Sequence, residues 1–365
     1  MKKNIQIIGG GCAGFSLAKY SNQLKDYKIK IYENRNNKID YDHYWGFWKI
    51  NSMNEAFKIS EKKWHRWKII TYEGENFFNS DNYPYCVVTR KNWINYCKNL
   101  SKLSNVKIIN KKIIQKENNL FFDDKKLSGN LIFDSRQPNL NESMMLQHFH
   151  GAVIECKEKV FDSNVATLMD FRCNQSKGIH FIYLLPFSRT KALVESTLFS
   201  KKIEKECFYF NEIKKYLKNI YKITKFQITH KENGVIPMKY ICLPNKNCIN
   251  IGTRGGATKP SSGYTFYFIQ KQVQNIVNQI QSKSKVSNFV HNKFDLIMDK
   301  IFVDVLEKNT NSAPKIFLKL TSNLTGDEMA LFMTGNFKLS IWKKIILKLP
   351  KLIFIKSLFR ILVYG

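Results

Sequence analysis

The sequence predicts an α/β fold in which an antiparallel sheet is inserted into a domain built on a parallel sheet. Three observations predict this. The first 35 residues run strand, glycine turn, helix, strand; the middle of the chain holds short β-type runs separated by turns; and residues 247–280 return to a buried strand, a glycine turn and a long helix. Strand–helix–strand units build parallel sheets, whereas short runs joined by turns build antiparallel ones. The 365 residues suffice for one large domain or two closely joined ones.

Hydrophobic periodicity and turn residues place the individual elements. Alternation, or a short apolar run, predicts strands at residues 4–8, 27–32, 106–114, 119–122, 131–134, 180–185, 191–197 and 247–251. Helical periodicity predicts helices at residues 15–24, 94–103, 204–218 and 264–280, a mostly helical stretch at 282–335, and two tail helices on either side of Pro350. The chain therefore ends in a helical region.

The composition limits the kind of partner. Lys and Arg number 59 against 29 Asp and Glu, a formal net charge of +30, which favours nucleic acid or an anionic membrane surface. Only eight of the basic residues are Arg, the residue that grips guanine edges and phosphates best. We therefore expect an anionic membrane surface and no nucleic acid; the alternative source of the charge is a general drift in composition towards Lys, Asn and Ile. Eight scattered cysteines without a C-x-x-C pair predict reduced thiols in the cytoplasm.

A G-x-G-x-x-G motif lies between the first predicted strand and the first helix. Gly9 permits the tight turn, Gly11 lets the backbone approach a pyrophosphate, and Gly14 lets the helix pack closely. Glu33 ends the second strand, 19 residues after Gly14, where a carboxylate accepts a hydrogen bond from a ribose hydroxyl. Strand, turn, helix, strand and acid in this order predict a dinucleotide site.

A second glycine-rich turn follows the strand at residues 247–251, and a long helix follows the turn. Its glycines would let backbone amides approach a flavin ring, and the helix dipole favours an anionic, reduced flavin. Two distant glycine turns favour FAD over NAD, because FAD enzymes often wrap both chain regions around one cofactor. The glycines expected to bind the cofactor here are Gly252, Gly255, Gly256 and Gly263.

The sequence resembles the lycopene cyclase family of carotenoid biosynthesis. The matching segments occur in family order at residues 9–14, 43–48, 133–136, 147–151, 168–172, 181–188, 193–197, 234–238 and 252–264. The resemblance implies a glutathione-reductase-type FAD-binding Rossmann domain formed by residues 1–146 and 247–281, an antiparallel substrate-binding sheet at 147–246, and a helical region with a basic membrane-facing tail at 282–365.

The resemblance also implies a redox-neutral lycopene β-cyclase, an intramolecular lyase of the isomerase class. An acid protonates a terminal double bond of lycopene or another acyclic carotenoid, an inner double bond attacks the cation, and proton loss gives the ring. Reduced FAD stabilises the cation, with NAD(P)H as a possible electron source. Both β- and ε-ring outcomes, at one end or both, are compatible with these residues. Thr253 stands where flavin hydroxylases of similar architecture usually carry Asp, which argues against oxygen chemistry.

Two carboxylates are the catalytic candidates. Glu195 lies on an alternating strand, where burial would raise its pKa and keep it protonated; the alternative is a structural ion pair with a Lys. Asp170 is the second candidate, to orient Glu195 or accept a proton; the alternative is a turn or flavin-region hydrogen bond. Ser196 replaces an acidic residue of the family pattern, which removes one carboxylate from the expected site.

The remaining candidates are aromatic and basic. Arg90 and Arg136 either contact a cofactor phosphate or fix a loop. His148 and His150 lack a third ligand, so we expect no metal. The residues expected either to line a polyene tunnel or to pack in the core are Trp45, Phe47, Trp48, Phe181, Tyr183 and Phe187.

The tail alternates basic and apolar residues on both sides of Pro350, the pattern of helices lying in a membrane interface. The alternative is a terminal helix pair packed on the domain. We expect a monomeric cytoplasmic protein, peripherally associated with the cytoplasmic membrane. Two other functions stay open: an FAD-dependent monooxygenase or oxidoreductase acting on an apolar substrate, and a basic membrane or nucleic-acid binder without enzyme activity.

Overall fold

A computed structural model describes residues 2–34, 42–102, 106–117, 119–140, 143–243, 245–336 and 338–364. Over these residues the strands are β1 (Lys3–Ile8), β2 (Tyr27–Tyr32), β3 (Tyr44–Trp48), β4 (Lys62–Trp64), β5 (Arg66–Thr71), β6 (Gly74–Asn79), β7 (Tyr85–Thr89), β8 (Val106–Ile109), β9 (Ile114–Lys116), β10 (Asn119–Phe122), β11 (Lys125–Lys126), β12 (Leu131–Asp134), β13 (Leu146–Glu155), β14 (Val165–Asp170), β15 (Ile179–Pro186), β16 (Lys191–Ser200), β17 (Gln227–Pro237) and β18 (Ile249–Asn250).

The helices of the described residues are α1 (Cys12–Ala18), α2 (Asn54–Lys58), α3 (Arg90–Lys102), α4 (Glu206–Tyr221), α5 (Phe266–Gln281), α6 (Lys293–Lys308), α7 (Ala313–Thr321), α8 (Gly326–Met333), α9 (Leu339–Lys348) and α10 (Lys351–Tyr364). The predicted first helix turns into a 3-10 helix at Lys19–Gln23. The predicted strand at 106–114 divides into β8 and β9, because the polar residues Asn110, Lys111 and Lys112 interrupt the apolar run. Leu103, the predicted end of one helix, lies outside the described residues.

The first sheet has the order β18-β12-β1-β2-β8, and every neighbouring pair is parallel. Helices α1, α3 and α5 pack together beside it. Strand β18 comes from the distant segment predicted to rejoin this domain, and it brings the second glycine turn against the first. A Cβ atom added at Gly252 would lie 3.0 Å from Cβ of Ala13.

The second sheet has the order β17-β13-β16-β15-β14-β5-β6. Its pairs are antiparallel except β5 with β14. The hairpin of β5 and β6 belongs to the stretch predicted as the first domain, so the sheet extends beyond residues 147–246. The β5–β6 hairpin joins the sheet because its apolar residues Trp67, Ile69 and Phe78 are buried in the main core. Helix α4 covers one face of the sheet through Ile213, Tyr216 and the residues around them.

Helices α6 to α10 form the helical region and pack over the other side of the molecule. In the tail, Ile341 and Ile345 of α9 are buried in the main core, and Ile353 and Phe354 of α10 are partly buried against it, so the two tail helices are packed on the domain. Their outer faces nevertheless expose large apolar residues, of which Leu352 is 66% and Phe359 is 62% exposed. Among the described residues, no helix combines the length and apolar character needed to cross a membrane.

Close packing at the first turn leads to a stability prediction. A Cβ atom at Gly14 would lie 2.0 Å from the carbonyl oxygen of Gly9, whereas one at Gly11 meets no atom within 4 Å. Because backbone cannot move aside cheaply, Gly14→Ala should destabilise the protein by about 3 kcal/mol. Gly11→Ala, the matched control, should change the free energy of unfolding by less than about 1 kcal/mol. Denaturant unfolding checks both, and equal midpoints would contradict the packing argument.

Candidate active site

A single cavity of about 830 Å³ connects the two glycine turns, the second sheet and the helical region. One end is polar and lies between the two turns. The other end is apolar and lies among α6 to α10. Between them the cavity crosses the face of the second sheet that points away from α4.

Two glutamates meet on that sheet face because of strand register. Strand β13 runs between β16 and β17, and Gly151 of β13 is opposite Glu195 on β16 and Glu232 on β17. A Cβ atom at Gly151 would lie 2.6 Å from Cγ of Glu195 and 3.3 Å from Cγ of Glu232. The missing side chain therefore leaves the space over which the two carboxyl groups approach each other. We call Glu195 and Glu232 the carboxyl pair.

Burial makes the carboxyl pair a proton store. Both side chains are nearly inaccessible, with Glu195 7% and Glu232 2% exposed. Burial raises the pKa of Glu195 to about 7, although its hydrogen bond with Glu232 opposes the shift. Burial and the neighbouring Glu195 charge raise the pKa of Glu232 well above its ordinary value, against the backbone N–H of Tyr44, which donates to Glu232 at 2.8 Å. Two carboxylates this close cannot both ionise cheaply, so near neutral pH they share one proton.

Hydroxyl and imidazole groups surround the carboxyl pair. Tyr183 lies directly across the sheet from Glu195, and its hydroxyl is 2.8 Å from the hydroxyl of Tyr85. Burial raises the pKa of both phenols, so they stay neutral. His43 Nδ1 lies 3.7 Å from Glu232 Oε2; burial and Arg90 lower the pKa of His43. These neighbours are neutral groups. None of them is a cation that would lower the pKa of the carboxyl pair and release its proton.

The polar end of the cavity has the shape of a dinucleotide site. Gly9, in the left-handed region with φ of +94°, and Gly11 line it, and Gly11 faces open space. Glu33 lies against Gly10, where a Cβ would meet Glu33 Oε2 at 1.7 Å. That oxygen is buried and has no hydrogen-bond partner among the described residues. A ribose hydroxyl would satisfy it, and Arg90, also on the cavity wall, would face the phosphates.

The second turn supplies further unpaired polar atoms. Gly252 and Gly263 line the cavity next to Ser262 and Gln147. Within the described part of the chain, Ser262 Oγ and Gln147 Oε1 are buried without a partner, which fits the heteroatoms of a flavin ring. By contrast, the other two predicted glycines, Gly255 and Gly256, are not among the residues that line the cavity, and they allow close packing within the turn. A Cβ at Gly255 would strike the carbonyl of Asn250, and one at Gly256 the ring of Tyr240.

The prediction that Asp170 acts beside Glu195 is not supported by its position. Asp170 is opposite Ile182 in the sheet, on the face covered by α4. Its carboxylate accepts hydrogen bonds from Arg172 and, at 2.7 Å, from the hydroxyl of Tyr216 in α4. Ser196 points to the same face, since its hydroxyl lies 2.8 Å from His180 Nε2. An acid at position 196 would therefore lie outside the cavity, so its absence costs the site nothing.

The predicted aromatic residues divide between wall and core. Trp45, Trp48, Phe181 and Tyr183 line the cavity. Phe47 is fully buried against Phe266.

Phe187, also among the predicted residues, is partly buried and packs on Tyr44 and Trp64. Arg136 lines the cavity but pairs with the buried Asp134, so it fixes the end of β12. His148 contacts Tyr209 and Ser200 under α4.

The apolar end is built by the helical region. Phenylalanine, leucine and methionine side chains dominate it, and this part of the wall comprises Met298, Phe302, Phe317, Leu320, Met329, Phe332, Met333, Trp342, Ile345, Leu349 and Phe354. Such a lining fits a long hydrocarbon. The proton store therefore lies between an apolar tunnel and a dinucleotide site.

A family model described as lycopene cyclase protein matches residues 4–353. The chain belongs to this family. Among curated relatives, the chloroplastic neoxanthin synthase of Solanum lycopersicum is 25% identical over 292 residues, 72% of this chain and 57% of the relative. The Solanum tuberosum enzyme of the same name is 24% identical over 292 residues. The chain thus aligns with little more than half the length of these relatives.

Solved structures share the fold at low sequence identity. A geranylgeranyl bacteriochlorophyll reductase-like protein from Thermoplasma acidophilum superposes with a TM-score of 0.69 at 12% identity, covering 98% of each chain. A flavin-dependent halogenase from Xanthomonas campestris gives a TM-score of 0.57 at 11% identity, covering 99% of this chain and 95% of the other. These neighbours confirm the predicted fold class.

Sequence reasoning missed Glu232, Tyr85, Gln147 and Ser262. Glu232 lies two residues before a segment that matches the family, and it is the single acidic residue of β17. A single acidic residue on a strand next to a family motif is a pattern that indicates a candidate site residue. Its partnership with Glu195 depends on register across three strands, which no local pattern encodes.

The carboxyl pair predicts an unusual pH dependence of stability. The folded state holds its proton more tightly than the ordinary pKa of 4.5 allows. Protonation therefore favours the folded state, and the free energy of unfolding should fall as pH rises from about 4.5 to 7. Glu195→Gln combined with Glu232→Gln should flatten this slope, because it removes both buried carboxyls, whereas Glu206→Gln, at the exposed start of α4, should not. Denaturant midpoints measured across this range check the prediction; identical slopes in all three proteins would contradict it.

Proposed function

We propose that this member of the lycopene cyclase family is a redox-neutral lycopene β-cyclase. The observation that supports the proposal best is the carboxyl pair, a water-excluded proton store at the junction of an apolar tunnel and a dinucleotide site. Protonating an alkene needs an acid whose conjugate base is poorly solvated, and burial of Glu195 and Glu232 provides it.

The carboxyl pair serves both proton transfers. Its shared proton goes to the terminal double bond of the acyclic end, which leaves a carbocation and a carboxylate. An inner double bond attacks the cation and closes the six-membered ring. The carboxylate then takes a proton from the new ring cation, which forms the ring double bond and restores the pair. Substrate and product are isomers, so no electrons or protons are gained or lost overall.

Aromatic side chains around the pair would stabilise the cation. Trp48 lines the cavity, its ring centroid 4.7 Å from that of Tyr85, and Tyr85 contacts Tyr183 beside Glu195. A ring face near a cation is worth about 0.5–2 kcal/mol in such a dry site. The same rings exclude water, which would otherwise capture the cation.

FAD is the cofactor that the polar end fits. Gly9, Gly11 and Arg90 would face its pyrophosphate, Glu33 Oε2 its ribose, and Ser262 with Gln147 its ring. When bound in its reduced form, FAD supplies an electron-rich neighbour for the cation, and NAD(P)H is a suitable reductant for it.

A second candidate function is an FAD-dependent oxidoreductase or monooxygenase acting on an apolar substrate. The fold neighbours include a reductase-like protein and a flavin-dependent halogenase, which favours this class. Thr253 at the second turn argues against oxygen chemistry, as does the placement of a proton store on the sheet.

Substitution of the carboxyl pair tests the proposed acid. Glu195→Gln and Glu232→Gln should each lower cyclisation about 10²–10⁴-fold, because each removes one of the two carboxyl groups that hold, deliver and take back the proton. Glu206→Gln should retain wild-type cyclisation. Expression in lycopene-accumulating cells followed by pigment chromatography measures the product. Near wild-type β-carotene in either pair variant, with normal folding, would assign the acid elsewhere.

The cofactor assignment has its own test. Gly11→Val should abolish copurification of flavin, since its side chain would occupy the space facing the phosphates. Tyr72→Val, at an exposed turn position that does not line the cavity, gives a comparison variant that should keep its flavin. Wild-type turnover should require reduced flavin yet consume no reductant per ring. A fixed ratio of reductant oxidised to product would favour the oxidoreductase instead.

We infer that the protein docks on the anionic cytoplasmic face of the membrane through its tail. Residues 338–364 contain seven basic residues and no acidic one, and a lysine near an anionic surface contributes about 1 kcal/mol. Leu352, Ile355 and Phe359 lie on one exposed stripe of α10. This apolar stripe would enter the acyl boundary while the lysines beside it contact the headgroups.

Vesicle binding tests the docking surface. Binding to vesicles containing phosphatidylglycerol should weaken as salt rises, because screening reduces the attraction. Leu352→Glu with Phe359→Glu should abolish binding, whereas Phe77→Glu, exposed on β6 far along the chain, should leave it unchanged. Wild-type protein that binds no vesicle at low salt would contradict docking and assign the stripe to a protein partner.

A further inference from the structure

The tail helices form a wall one helix thick between the cavity and the surface. Trp342, Ile345 and Leu349 line the cavity from α9 and its end, and Phe354 lines it from α10. On the opposite sides, the same helices expose apolar residues, such as Leu347, which is 60% exposed. The outer and inner surfaces of this wall therefore both carry large apolar residues, an arrangement that a structural helix pair does not need.

The wall is interrupted by a proline at the cavity. Helix α9 ends at Lys348 and α10 begins at Lys351, with Leu349 in an extended conformation. Pro350 has no N–H to continue the helical hydrogen bonds. Leu349 lies directly at this break and lines the cavity, so the helical hydrogen bonds are interrupted at a residue of the cavity wall.

The two tail helices are fastened to different parts of the helical region. Helix α9 is held at α8 through an ion pair of Lys344 with Glu328 at 2.6 Å. Helix α10 is held at α6, where Ser357 donates to the carbonyl of Ile301 at 3.1 Å and Arg360 Nε lies 3.1 Å from Asp304. Movement of α10 with respect to α9 would therefore part the wall at Leu349 without unfolding either attachment.

An aromatic path leads from this break towards the carboxyl pair. Phe302 of α6 contacts Phe317 at a centroid distance of 5.4 Å, Phe317 contacts Phe199 at 6.3 Å, and Phe199 contacts Phe181 at 5.2 Å. Phe181 and Tyr183 lie two residues apart on the same face of β15, and Tyr183 pairs with Glu195 on β16. A polyene that enters at the break would follow this row of aromatic rings up to the proton store.

We propose that the α9–α10 junction at Leu349 and Pro350 is a lateral portal through which the carotenoid passes between bilayer and cavity. The proposal rests on the proposed function, since it takes the substrate to be a membrane-dissolved polyene. The docked stripe of α10 places the outer side of the portal in the acyl region, and the polyene reaches the carboxyl pair without crossing water.

Uptake measured without turnover tests the portal. The full-length Glu195→Gln protein is mixed with phosphatidylglycerol–phosphatidylcholine vesicles that contain lycopene and a fluorescent lipid whose emission lycopene quenches. Recovery of emission reports removal of lycopene from the bilayer. Adding Leu349→Trp should narrow the break and slow uptake on the order of tenfold. Adding Leu347→Trp, the same change on the outer face of α9, should leave the rate within about twofold.

A second variant keeps the test decisive if Leu349→Trp loses its cooperative unfolding transition. Asp304→Ala removes the ion pair that holds α10 to α6 and should speed uptake. Glu73→Ala, which removes the partner of Lys315 in an exposed ion pair, is its control. An unchanged rate in Asp304→Ala would then overturn the portal.

The outcomes separate the portal from the proposed function. Equal uptake by Leu349→Trp and Leu347→Trp overturns the portal while the function stands. Wild-type protein that carries reduced FAD but does not cyclise lycopene in detergent micelles contradicts the proposed function, whatever the uptake rates. A Glu195→Gln parent that removes no lycopene from vesicles, although the wild type cyclises lycopene in micelles, overturns the portal alone.

Discussion

The arrangement of the site depends on two buried carboxyl groups that meet over a glycine. Gly151 lies on the strand between Glu195 and Glu232, and the absence of its side chain lets both carboxyls lean over it. Burial and mutual repulsion then force the pair to keep a proton. Any larger residue at Gly151, or a slip of one residue between these strands, would separate the carboxyls and remove the acid from the cavity.

The rest of the fold keeps this pair dry and places it between two binding regions. The parallel sheet and its two glycine turns build the polar end, and the unpaired Glu33 and Ser262 atoms lie there. The helical region builds the apolar end. Its last two helices serve both surfaces, since Leu349 faces the cavity while Leu352 faces outward. The short segment from Leu349 to Leu352 thereby connects the proposed membrane-facing surface with the cavity that holds the carboxyl pair.

Local sequence patterns predicted the elements whose form is decided locally. The glycine turn with Gly9 and Gly11, strand β2 and the helix break at Pro350 follow from turn chemistry and periodicity. Alternation also indicated a buried Glu195. The identity of its partner could not follow from such patterns, because Glu232 and Asp170 are distinguished only by sheet register and by the side that α4 covers. Asp170, predicted as a second carboxylate to orient Glu195 or accept a proton, lies on the sheet face that α4 covers.

The most direct test of the account is infrared spectroscopy of the carboxyl groups across a pH titration. A protonated carboxylic acid has a carbonyl stretch that a carboxylate lacks. One buried carboxylic acid of the carboxyl pair should persist from pH of about 5 to about 7 in the wild type, and its band should disappear in the double variant Glu195→Gln with Glu232→Gln. Absence of the band from wild-type protein over this range, or its persistence in the double variant, would contradict the shared proton.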